Sequence, residues 1–274
     1  MKITFIEKTA ITVIFFVALL FVFPKNLFIG DISNLFTAVS LLFGILAGFF
    51  IAATLSNYFR LQSLVAEETT QLGTIYVKAV LLEPKIKKEL EDAIDSYARA
   101  EFDYELHEYI DNTWREFENI VKATEKIKKR ETSLFTNFID SIARLSTIRQ
   151  EISLTARKIL GLGHWIVLII LAAMVIFLSY IMKTPTVTSS IFTVLISAAT
   201  CLVLFLLYEI DSNFFAEERL AFTSFERVFH DIGKLPYYPE ESIKKGRIKL
   251  KGKYRIGILE SKKPIKRRIE IREF

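Results

Sequence analysis

The sequence predicts an all-α integral membrane protein, with four transmembrane helices and a helical cytoplasmic block between the second and third. Three observations predict it. Four runs, Thr9 to Pro24, Ile32 to Phe59, Ile159 to Met182 and Val187 to Tyr208, contain no Asp, Glu, Lys or Arg. Residues 60–158 between them carry sixteen basic and eighteen acidic side chains, too polar for hydrocarbon and long enough to fold outside it. The composition is 51% hydrophobic with 24 Phe, and its mean hydropathy of +0.33 is gathered into runs, which excludes an ordinary soluble domain and a disordered chain. The domains expected are 1–59, spans 1 and 2; 60–158, the cytoplasmic block; 159–208, spans 3 and 4; and 209–274, a cytoplasmic segment with a basic tail.

The first run is short for a span, so Lys8 and Lys25 are expected to snorkel to the interface. No small-residue cleavage pattern follows it, which favours an uncleaved first helix over a signal peptide. Pro24 through Asp31 supply a turn.

The second run opens a far longer helix, Ile32 to Leu82. No Pro or Gly interrupts Tyr58 to Leu72, and Pro84 gives the stop. Gly44, Gly48, Ala52 and Ser56 recur every four residues, a small-residue stripe that lets another helix approach. Leu41, Ile45 and Phe49 form a bulky column about 100° away. That column can face a central axis or lipid. Beyond the membrane the same side reads Ser56, Arg60, Ser63, Glu67, Thr70, Thr74 and Lys78, polar at nearly helical period. A solvated face on a peripheral helix explains those positions equally well.

After Pro84, Ile86, Leu90, Ile94 and Tyr97 mark an amphipathic helix. Phe102, Tyr104, Tyr109, Trp114 and Phe117 read as a packed core rather than a ligand cage, since no glycine-rich loop is near. The run Lys126 to Arg130 is surrounded by acids and reads as a solvated helix end or headgroup contact, not a nucleic-acid surface. Phe135, Phe138, Ile142, Leu145, Ile148 and Ile152 predict a helix running back along the extended second one.

The third run carries Trp165 near one end and Tyr180 near the other, an interfacial belt. Cys201, the one cysteine, lies in the fourth run and reads as a packing residue. The positive-inside rule places both termini and the middle block in the cytoplasm of a cell-membrane protein. After the fourth run, Glu209, Asp211 and Glu217 are a candidate cation site, with calcium the hard ion that such oxygens suit, although no EF-hand spacing is present. The segment Lys244 to Phe274 has thirteen basic residues against three acidic ones, favouring anionic headgroups. Its alternating Ile256, Ile258, Ile265, Ile269 and Ile271 predict a small basic β-hairpin turning near Ser261 to Pro264. No P-loop, GxGxxG, HExxH, CxxC or GxSxG motif is found, and the three histidines are scattered, so no enzyme and no further cofactor are expected.

The stretch Glu68-Thr69-Thr70-Gln71-Leu72-Gly73-Thr74-Ile75-Tyr76, with Leu81-Leu82-Glu83-Pro84 after it, resembles the bestrophin-like family of four-span membrane proteins. The order of two spans, helical block and two spans agrees. More distantly the chain is similar to bestrophins. The stretch Asp211 to Glu217 matches their sequence after the fourth span, with Phe214 and Ala216 in place of Pro and Gly and without the long acidic run. The resemblance implies a homo-oligomeric ion channel, a pentamer, whose second span supplies a hydrophobic neck. On this chain the neck would be Leu41, Ile45 and Phe49, and Ser56, Arg60, Ser63 and Glu67 would line the cytoplasmic mouth. The rival reading is a non-conducting scaffold that recruits partners through the helical block and basic tail. A stator-type proton channel shares the order of elements, but no carboxylate lies mid-membrane.

Overall fold

The computed structural model describes residues 5–22, 32–104, 106–128, 132–157, 159–211, 224–244, 248, 250, 252–262 and 265–274. In chain order the elements are α1 (Phe5–Val22), α2 (Ser33–Leu82), α3 (Lys87–Ala100), α4 (Tyr109–Asn112), α5 (Trp114–Glu125), α6 (Ser133–Thr155), α7 (Leu162–Ile181), α8 (Val187–Asp211), α9 (224–231), β1 (Tyr237–Pro239), α10 (Glu240–Lys244), β2 (Lys253–Lys262) and β3 (Ile265–Glu273). They form two units, Met1–Ser56 with Lys158–Ser212, and Asn57–Arg157 with Asn213–Phe274. The middle block and the C-terminal segment therefore share one body.

The first unit is helical. Among the described residues α2, α7 and α8 are long and apolar enough to cross a membrane, and α1 adds a shorter apolar stretch, Ala10–Phe21. α2 buries Val39, Phe43 and Ala47 against Leu168, Leu171, Ala172 and Val175 of α7 and Leu207 of α8. Lipid offers no hydrophobic drive between helices, so close contact must come from shape and hydrogen bonds. Small side chains provide it: Ser179 on α7 meets Ser197 on α8 at 3.4 Å, both buried, and Thr193 also reaches the Ser179 carbonyl. α1 joins through Phe16, packed with Tyr180, Val194 and Ala198, and the Tyr180 hydroxyl donates to the Phe16 carbonyl at 2.7 Å. Trp165 and Tyr208 meet edge to face at 6.1 Å.

In the second unit, α2 continues without a break because nothing in its sequence stops it before Leu82. Glu83 then leaves the helical region and Pro84 opens a short 3-10 turn. α6 returns antiparallel to α2. Asn57 Nδ2 donates to the Thr155 carbonyl at 2.8 Å near one end, and Lys78 Nζ donates to the Asn137 carbonyl and Ser141 hydroxyl, each at 2.9 Å, near the other. The hydrophobic set read on α6 lies inward: Ile148 and Ile152 pack with Leu61, Leu64 and Val65, while Phe138 and Leu145 join Leu72, Ile75 and Ala79. α3 adds Leu90, Ile94, Tyr97 and Ala98, all fully buried on one face.

α9 ends at Gly233, whose φ of +69° lets the Lys234 amide reach back to the Phe229 carbonyl at 2.8 Å. The chain then enters a three-stranded sheet of order β1-β2-β3, with β1 parallel and β3 antiparallel to β2. The hairpin is present, but β1 is a strand that alternation could not show, being three residues long and ending in proline. Gly257 on β2 is required where it stands, because a Cβ there would collide with the Tyr237 ring.

Two expectations need correction. Trp114 is 56% exposed, so it stands outside the aromatic core that takes in Phe117. The basic tail is not wholly a headgroup surface either. Arg255, its side chain 11% exposed, pairs with Asp95 at 2.6 Å and stacks over the Phe229 and Tyr237 rings, and Arg267 pairs with Asp103 and with Glu241. The turn at 24–31, Lys129, Arg130, the 212–217 stretch, Lys263 and Pro264 lie outside the described residues.

Candidate functional site

The candidate site is the side of α2 that its own chain leaves uncovered. Successive residues on an α-helix are 100° apart, so a residue two positions from another points nearly the opposite way. Phe43 and Ala47 are buried against α7 and α8, which turns Leu41, Ile45 and Phe49 outward. They are 63%, 60% and 66% exposed. These are three large apolar side chains in one line. The small stripe is also uncovered: a Cβ at Gly44 or Gly48 would meet nothing within 4 Å, and Ala52 and Ser56 are exposed. Within the chain, α2 is packed by Val39, Phe43 and Ala47, and among the described residues Gly44, Gly48 and Ala52 hold no neighbouring helix.

In the second unit the polar positions are placed differently from one another. Ser63 and Thr70 are exposed, the Thr70 hydroxyl donating to the Ala66 carbonyl at 2.8 Å. Arg60 and Glu67 do not stand alone. Arg60 bonds Glu151 at 3.0 Å, and Glu67 takes two nitrogens of Arg144 at 2.6 and 2.8 Å. Both partners lie on α6, in the antiparallel register already described. The charge presented here is thus that of four side chains, and a reading of α2 by itself missed Arg144 and Glu151. Their spacing of seven along α6 puts them on one face, and that was the available signal.

Behind this face lies a polar interior that the periodicity of α2 gave no reason to expect. Glu68 is completely buried, and the Tyr97 hydroxyl donates to its Oε1 at 2.5 Å. Glu101, just past the end of α3, is buried too. Arg149 from α6, likewise buried, lies over the rings of Phe117 at 4.3 Å and Tyr97 at 5.2 Å and donates to the Thr113 hydroxyl at 2.9 Å. Burial, and then the neighbouring Glu68 carboxylate, push the Glu101 carboxyl well above its ordinary value, while Tyr97 and Arg149 oppose the rise.

Of the candidate cation ligands, buried Asp211 accepts the amides of Ile159 and Leu160 at 3.2 and 3.1 Å, tying the end of α8 to the approach to α7. Glu209 sits two positions before it, and Glu217 lies outside the described residues. Among the described residues no three His, Cys, Asp or Glu side chains gather as a metal site would need.

Residues 10–215 match the family described as Bestrophin-like domain. Among solved structures, a bacterial Bestrophin homolog from Klebsiella pneumoniae aligns with a TM-score of 0.60 at 12% identity, covering 85% of this chain and 100% of that one. Two point variants described only as a membrane protein align with TM-scores of 0.65 and 0.64 at 11% identity, each over 84% of this chain and 99% of the other. Likeness at that identity is a likeness of fold. No curated protein matches the chain.

Proposed function

Because the chain belongs to the Bestrophin-like family, we propose that it is a homo-oligomeric ion channel of the cell membrane, a pentamer, with both termini in the cytoplasm. One observation carries the reading: Leu41, Ile45 and Phe49 are an uncovered apolar line on the helix that runs from the span into the polar unit. Copies of α2 around an axis would turn that line into successive apolar rings. A narrow apolar ring closes by dewetting and opens with a small change of radius. Gly44, Gly48 and Ala52 would let the neighbouring copy approach. Ser56, Ser63 and the Arg60–Glu151 and Glu67–Arg144 pairs would line the mouth, their balance setting ion sign.

Purified protein in planar bilayers tests this. Conductance is expected, and Phe49→Ala is expected to raise it by widening the apolar ring. Silence from both the wild type and Phe49→Ala would overturn the channel reading. It would leave a non-conducting membrane scaffold that recruits partners through its helical block and basic tail.

A further inference from the structure

The span unit carries a groove on a side that α2 does not use. α8 packs against both α1 and α7. At one end α1 and α7 are tied together, the Tyr180 hydroxyl donating to the Phe16 carbonyl at 2.7 Å and Lys183 Nζ to the Leu20 carbonyl at 3.4 Å. Toward the other end they are the walls of an open groove of about 590 Å³, with Ile11 on one wall, Trp165 and Ile169 on the other, and Leu204, Phe205 and Tyr208 of α8 as the floor. Ile11, Ile169 and Tyr208 are each more than half exposed. α2 packs on Leu168, Leu171 and Val175, and Ile169 is turned about 100° from Leu168 around α7, so the groove and the packed face of α2 are separate.

The chemistry of the groove selects its occupant. The polar side-chain atoms in its lining are the Thr12 and Tyr208 hydroxyls and the Trp165 indole nitrogen, with hydrocarbon elsewhere, which gives water too few partners. Three turns of a helix about 10 Å across need roughly 1,300 Å³, more than twice the space, so a helix of a second copy does not fit inside. A hydrocarbon chain does. The groove lies on α7 and α8, both long and apolar enough to cross a membrane, so lipid chains are the solvent onto which it opens. Trp165, near the start of α7, meets Tyr208, near the end of α8, edge to face at 6.1 Å. At such helix ends indole and phenol sit at headgroup level and can donate to ester oxygens. Lipid tails are as apolar as leucine, so a chain is held by fit, and in the groove it touches three helices instead of one.

We propose that this groove binds one acyl chain of a membrane phospholipid, laid between α1 and α7 on α8, with its ester end at Trp165 and Tyr208. The tie between Tyr180 and Phe16 closes the far end and stops the chain there. The lipid is then a part of the fold, because it fills space that the side chains of α1 and α7 leave open. The site uses no residue of α2 and does not depend on whether the protein conducts.

Native mass spectrometry of the full-length protein, purified in mild detergent with dioleoyl phosphatidylcholine, reads the bound lipid. The wild type is expected to keep one phospholipid per chain. Ile11→Trp and Ile169→Trp, which fill the groove from its two walls, are expected to lose it, and Ile170→Trp, equally exposed on α7 but outside the groove, is expected to keep it. Trp114 and Trp165 are the two tryptophans, so Trp114→Phe leaves Trp165 as the sole emitter, and the chain-brominated form of the same lipid is expected to quench it in bilayers. A wild type that carries no phospholipid overturns the proposal, as does a lipid that the filled variants keep or that Ile170→Trp loses equally. An unquenched Trp165 overturns it too, because protein then covers the groove. If a filled variant does not fold, wild-type retention and Trp165 quenching decide the matter.

Discussion

The two stretches of α2 are held by different forces. In the first unit its packed face is Val39, Phe43 and Ala47 against apolar side chains, and among the described residues no charged group is involved and the other face is uncovered. In the second unit the same helix is flanked by ion pairs to α6 and backed by a buried set of ionisable groups. The contrast follows from solvent. Where hydrocarbon surrounds a helix, an ion pair gains nothing over lipid-compatible packing, so fit decides. Where water competes, an apolar seam and directed polar contacts can both stabilise. The first region should be sensitive to volume and the second to charge.

Five substitutions at four positions sharpen or break that contrast. The largest effect is expected at Arg149. Arg149→Met preserves length but removes the buried guanidinium, and should lower unfolding stability by about 3–5 kcal/mol. Thermal unfolding checks it, and an unchanged midpoint would mean the interior tolerates the carboxylates alone. Next is Ala47→Phe, which adds a ring where α2 lies against α7 and α8. Overpacking of this kind costs about 1–3 kcal/mol, while Ala47→Ser, nearly equal in volume, should be close to neutral. If the two behave alike, fit is not what holds this face. The smallest stability effect belongs to the exposed pair: Arg144→Gln should cost about 0.2–1 kcal/mol. In bilayers, however, it should shift the reversal potential in an ion gradient toward cation preference, and Glu67→Gln should shift it the opposite way. Reversal potentials identical to wild type in both variants would remove this pair from the conduction path.

Much of the architecture was legible because it depends on local pattern. Uncharged runs located the spans. The absence of a breaker after Tyr58 gave α2 its length, and the period of Phe138, Leu145 and Ile152 gave α6 its inner face. The alternation of isoleucines gave the hairpin. What stayed hidden depends on partners distant in sequence. Nothing in the neighbourhood of Arg60 names Glu151, and Glu68 beside Glu67 looks like a second solvated acid until α3 and α6 close over it. Trp114 was misplaced for the complementary reason, since an aromatic side chain near others need not share their face. Leu41, Ile45 and Phe49 were expected to face either a central axis or lipid, and their exposure is what both options require.

Arg255 belongs to β2, yet its guanidinium stands 2.6 Å from the buried Asp95 on α3, far earlier in sequence. During synthesis, α3 must therefore wait. Asp95 Oδ2 has Arg99 of its own helix from the start, but Asp95 Oδ1 meets its guanidinium only after the ribosome has made two further spans and reached β2. Until then the polar unit is an unfinished body exposed to proteases and chaperones. Loss of residues 251–274 would leave Asp95 Oδ1 without that partner, so a change in β2 would be felt in α3.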